Sequence, residues 1–127
     1  MRALVAVVCV SLSLSGCAPA GEASARNVSD RFQTALAGHD AASACQLLSQ
    51  EARRRLEVVG GKPCARVLPA LNLPAGGVRE VGVWGDNGQA RLASGVLFLA
   101  EFKAGWRVIG AGCRPRPEMP YDCVVEG

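Results

Sequence analysis

The chain has little of what enzymes and metal sites are usually built from. It contains one histidine, His39, and one tyrosine, Tyr121. No Cys-x-x-Cys pair occurs, and no Gly-x-Ser-x-Gly elbow, phosphate-binding glycine loop or His-Glu-x-x-His stands among the 127 residues. A metal centre is therefore not expected, and no cofactor is. Charge of one sign is scarce as well. Fourteen Lys and Arg face eleven Asp and Glu, a formal net charge of +3. That excess is too small and too scattered to point to nucleic acid. Nor is there an apolar run of the roughly 20 residues that a membrane-spanning helix needs.

The N-terminus has a different pattern. Arg2 precedes the apolar stretch Ala3–Val10, and the softer Ser11–Leu14 follows. A positive charge followed by a short greasy segment is the layout of a secretory signal. The run ends Leu14-Ser15-Gly16-Cys17, which resembles the lipobox of bacterial lipoproteins. That resemblance implies cleavage between Gly16 and Cys17, acylation of Cys17, and a partnership with membrane lipid through the acyl chains. Two chains on one cysteine give stable anchoring, where one gives only marginal binding. The expected organisation is a signal peptide over residues 1–16, a lipid-anchored tether over 17–24, and a single domain over 25–127. The expected location is the extracytoplasmic face of the cell membrane.

Six cysteines occur in all, and four lie in the domain: Cys45, Cys64, Cys113 and Cys123. An even number in an exported chain implies disulfides. Three connectivities exist. Cys45–Cys64 with Cys113–Cys123 is favoured, because each pair is close in sequence and lies within one structural segment.

The first half of the domain is helical in pattern. Val28, Phe32, Ala35 and Leu36 share one helical face, and Gly38 ends it. Asp40 and Ser49 suit the N-caps of a second and a third helix. The third carries Ala52, Leu56 and Val59 inward and stops at Gly60-Gly61. Pro63 suits the first position of a short fourth helix. Arg53-Arg54-Arg55 is the only basic cluster; a solvated helix face is the plain reading, and contact with anionic headgroups the sharper one.

From Val78 the period changes to that of strands. Val78–Trp84, Gln89–Ala93, Val96–Phe102 and Trp106–Gly110 are separated by short turns, Asn87-Gly88 among them, so an antiparallel meander is expected. Val96–Phe102 is apolar at nearly every position and reads as the central strand, covered on both faces. The proline-rich tail 114–120 forms a loop between two cysteines, and Val124–Glu126 adds a short edge strand.

Helices followed by a meander with Phe98 to Phe102 and then Gly105-Trp106-Arg107-Val108 resemble the closing strands of the NTF2-like (SnoaL-like) superfamily. The stretch from Trp106 through Cys113 to Tyr121-Asp122-Cys123 is similar to small lipoproteins of actinobacteria. The resemblance implies an α+β domain in which N-terminal helices pack on a curved sheet wrapped into a cone.

Enzymes of that superfamily set Asp, His or Tyr side chains into the cone, so each such residue is a candidate. His39 and Asp40 are neighbours on a turn, where side chains seldom point at one another. Tyr121 and Asp122 are adjacent inside one small loop and cannot flank a substrate from separate walls. Asp30, Glu80, Asp86 and Glu101 read as solvated. No catalytic constellation is expected. Trp84, Phe98, Trp106 and Tyr121 are the candidate surface for a ligand or partner. The expected function is a non-catalytic accessory module that binds an envelope protein. The alternative is a carrier or sensor of a small apolar ligand held in the cone.

Overall fold

The computed structural model describes residues 20–118 and 120–127. The leader, Gly16 and Cys17 lie outside them. Helix α1 spans Glu22–Ala37, so residues 22–24 of the expected tether are helical. Its buried stripe is Ala25, Val28, Phe32 and Ala35. Gly21 precedes it in a left-handed conformation (φ 90°), and a Cβ there would press on the Trp106 indole. Helix α2, Ala41–Leu47, is capped by Asp40, whose carboxylate accepts from the Ser43 N–H. Helix α3, Gln50–Gly60, is capped by Ser49 through the Ala52 N–H. Both caps satisfy donors that a helix leaves unpaired at its start. Pro63 stands one position outside the short helix α4, Cys64–Val67, and a 3-10 turn, Leu68–Leu71, follows.

Five strands form the second layer: β1 Val78–Trp84, β2 Asn87–Leu92, β3 Gly95–Phe102, β4 Gly105–Cys113 and β5 Val125–Glu126. Their order in the sheet is the order in the chain, and every pair is antiparallel. The meander and the central place of β3 are as the patterning predicts, but β3 is not covered on both faces along its length, since Glu101 and Phe102 at its end are exposed. Gln33, buried on α1, accepts a hydrogen bond from the Gly76 N–H at 2.9 Å and so holds the segment that leads into β1.

The expected cone is not formed. Closing it would bring the last strand toward the first, whereas β1 and β5 stand at opposite edges of an open sheet. The physical reason lies at the outer edge of β4. Leu48 bridges Val108 there, the Ser49 N–H donates to the Val108 carbonyl at 2.8 Å, and two-residue β5 continues the edge from Gly110. Those backbone groups are satisfied locally, so nothing is left for a wrapping strand to pair with. The interior is also filled. Phe32, Leu97, Leu99 and Val108 are fully buried between α1 and the sheet, and the space beside Phe32 and Leu97 is about 10 Å³.

Both favoured disulfides are present. Cys45–Cys64 joins α2 to α4, and Cys113–Cys123 closes the tail onto the end of β4. One apolar side chain departs from expectation. Val59, expected inward on α3, is exposed, because the core beneath that helix ends at Leu56.

Candidate functional site

Side chains alternate between the faces of a strand, so the register of the sheet sorts them. Val81, Ala90, Leu97 and Val108 lie on the face that α1 covers and are buried. Among the described residues no helix lies across the opposite face. Along one row it carries Gly82, Gln89, Phe98 and Gly110, and along the next Trp84, Asn87, Ala100 and Arg107.

The first row is sheltered by the tail. A Cβ on Gly110 would meet the sulfurs of Cys113 and Cys123 at 3.3 and 3.5 Å, so the disulfide lies directly over that glycine. Tyr121 stands edge-on to Phe98 with ring centroids 4.9 Å apart, and the Gln89 amide donates to its hydroxyl at 3.2 Å. The phenol is thereby satisfied and its ring used in packing. Arg114 and Asp122 exchange backbone hydrogen bonds of 2.9 Å, and Arg116 donates to the Asp122 carboxylate at 2.6 Å.

The second row is open. Trp84 is 55% exposed and Phe102, at the end of β3, is 48% exposed. Ala100 and Ile109 lie on the same side. Beside them, between α3 and the β3–β4 hairpin, runs a groove of about 790 Å³ whose walls include Phe102, Ile109, Arg53 and Arg107. Arg54 and Arg55 both pair with Glu51. The hydrogen bond from Arg55, with the charge of Arg54, holds the Glu51 carboxyl below the usual carboxylate range. Arg53 and Arg107 make no ion pair among the described residues.

Of the four residues expected to form a ligand or partner surface, three gather on this face: Trp84 in the open, Phe98 under the tail, and Tyr121 in the tail itself, packed on Phe98. Trp106 is on the other side. It is 4% exposed and packs on Gly21 and Gly88, so it is a core residue. Sequence reading missed Phe102. The signal was available, since Phe98, Ala100 and Phe102 alternate along one strand.

A smaller cleft of about 270 Å³ lies on the helical side, with His39 and Asn72 at its wall and Leu36, Leu68 and Leu73 within. The His39 and Asp40 side chains do not meet there; the Asp40 carboxylate is taken by Ser43. Asp30, Glu80, Asp86 and Glu101 are exposed and scattered over α1, β1, the turn after it and β3. Among the described residues no three His, Cys, Asp or Glu side chains converge as a metal would require.

No family model matches the chain, and no curated protein or solved structure does either. Together with the open sheet, this overturns the resemblance to the NTF2-like superfamily and to its lipoprotein members. The fold is an α+β arrangement of N-terminal helices on an open five-stranded antiparallel sheet, with two disulfides. The expected partnership with membrane lipid is corrected too. All four cysteines among the described residues are joined in disulfides, which leaves none of them to carry an acyl chain, while Cys17 and its lipobox lie outside those residues. No helix among the described residues is long and apolar enough to cross a membrane.

Proposed function

We propose that this domain works outside the cytoplasm as a non-catalytic module, docking a protein partner of the cell envelope on the open half of its sheet. The observation that carries the reading is the exposure of Trp84 and Phe102 together, on a β-surface that no element among the described residues covers. Large aromatic side chains on a stiff scaffold lose little entropy when buried, and they dominate the energetics of protein interfaces. Arg53 and Arg107 would form part of a polar rim around them. An oxidising compartment is supported by the two disulfides, since such bonds persist outside the cytosol. The non-catalytic reading is supported by the placement of the candidate acids and bases, which are exposed and far apart or already paired.

The test is photo-crosslinking in the cell envelope from a reactive residue placed at position 84 or 102, with position 31 on the exposed side of α1 as control. One discrete adduct from 84 and 102, absent from 31 and lost when the other aromatic is changed to Ala, is the expected result. Adducts no different from the control would overturn the reading.

A further inference from the structure

The cations of this chain are unevenly placed. Residues 50–67, which cover α3, the turn after it and α4, hold Arg53, Arg54, Arg55, Lys62 and Arg66 against Glu51 and Glu57. Over the other described residues the carboxylates outnumber Lys and Arg by one. The same segment carries Val58 and Val59, 76% and 87% exposed. Arg54 lies four residues before Val58 and Arg55 four before Val59, so each valine shares a helix face with an arginine.

Packing makes this corner stiff. Gly61 ends α3 in a left-handed conformation (φ 65°). The missing side chain of Gly60 lets Val67 of α4 come into direct contact with the end of α3. Cys64, at the start of α4, is bonded to Cys45 of α2. Two β-branched apolar side chains are thus held out in solvent by a braced turn, and the core does not use them, since it closes at Leu56.

An apolar tip with Arg54 and Arg55 on its helix faces, both within reach of Glu51, and Lys62 and Arg66 in the segment that follows, suits the boundary between headgroups and acyl chains of a bilayer. There the valines enter the apolar layer while the long cationic side chains reach back to phosphate. An acidic protein would answer the charge as well. Val58 and Val59, however, stand at the end of a helix and line neither the groove nor the cleft described above, so they offer a rigid partner no concave complement. We infer that the α3–α4 corner rests on an anionic bilayer surface, inserting Val58 and Val59 between phosphate-bearing headgroups. The contact needs no covalent lipid. It goes beyond the docking face, of which neither valine is part.

The test uses the full chain carrying Val59→Trp, compared with the unaltered chain to remove the emission of Trp84 and Trp106. Vesicles contain phosphatidylcholine brominated on its acyl chains, with or without phosphatidylglycerol. The added indole should be quenched on the anionic vesicles and spared on the neutral ones. Adding Arg54→Gln and Arg55→Gln should weaken that partitioning about 30-fold. No quenching, or equal quenching on both vesicles, would overturn the inference. So would retention of the chain on immobilised polyglutamate with the indole unquenched on vesicles, which would mark the corner as a site for acidic protein. Thermal melting of each variant checks that the fold is kept, and all three changes lie at exposed positions.

Discussion

Tyr121 holds its ring edge-on to Phe98 while Gln89 donates to its hydroxyl, and this one contact divides the outer face of the sheet into a covered half and an open half. The Cys113–Cys123 bond keeps it there by closing the tail over Gly110. The double change Cys113→Ser/Cys123→Ser should release the tail and bare Phe98. For a loop of this size, stability should fall by roughly 3 kcal/mol on the chain-entropy model. Urea unfolding measures the loss. Binding of a hydrophobic dye, raised in the folded variant, reports the uncovered ring. A variant with unchanged dye binding would show that the tail stays down without its bond.

The two faces of the sheet should respond oppositely to truncation. Phe32 is fully buried between α1 and the strands, so Phe32→Ala should cost about 3–5 kcal/mol through lost burial and a cavity. Phe102→Ala, on the open half, should stay within about 0.5 kcal/mol of the unaltered chain. Denaturant midpoints at matched slopes provide the comparison. A large loss at Phe102 would mean that its exposed ring supports the fold instead of awaiting a partner.

A side chain on Gly60 would overlap the methyl groups of Val67. Gly60→Ala should therefore destabilise by about 1–3 kcal/mol, although alanine is the better helix former. Val67→Ala makes room, so the double variant should recover most of that loss. The interaction energy from the double-mutant cycle decides the matter. Simple additivity of the two changes would place the strain elsewhere.

Asp40 links stability to pH. Its carboxyl is held below the usual value of 3.8 by hydrogen bonds from the Ser43 hydroxyl and then from the Ser43 N–H. A carboxyl whose folded-state value is depressed contributes stability above its unfolded value, and loses it as pH falls through the folded one. Asp40→Ala should therefore melt below the unaltered chain at neutral pH, with the gap closing in acid as the native carboxylate protonates. Melting curves across that range measure it. A gap that stayed constant would show that the cap does not depend on the charge.

Much of this architecture was legible in the chain because it is set by neighbours. Asp40 and Ser49 cap helices through N–H groups three residues on. Gly60-Gly61 ends a helix by its own backbone freedom, and a turn between β1 and β2 was legible although it falls on Gly85-Asp86, with Gly85 at φ 60°, while the expected turn residues Asn87-Gly88 are already paired in β2. Cysteines 19 and 10 residues apart found one another within their own segments. Such features draw their energy from a few adjacent residues, so a reader of sequence can see them.

The candidate face was legible only in part. Trp84 and Trp106 look alike in sequence, each at a strand end beside glycine, yet one is exposed and the other buried. Strand period relates residues within a strand, but it does not say which face a helix will cover. The register also shifts twice between β3 and β4, near Phe98, and each shift changes which side chains oppose one another.

By itself, then, the sequence determined the succession of elements and most of the caps and turns that bound them, and it favoured one pairing of the cysteines, because each depends on contacts within one short segment. Only the tertiary structure decided that the sheet stays open, that its interior is filled and that Trp84 faces solvent while Trp106 does not. Those outcomes turn on meetings between distant segments. Leu48-Ser49 taking the edge of β4, α1 settling on one side of the sheet and the tail folding over the other each trade chain entropy for burial, and no local pattern announces them.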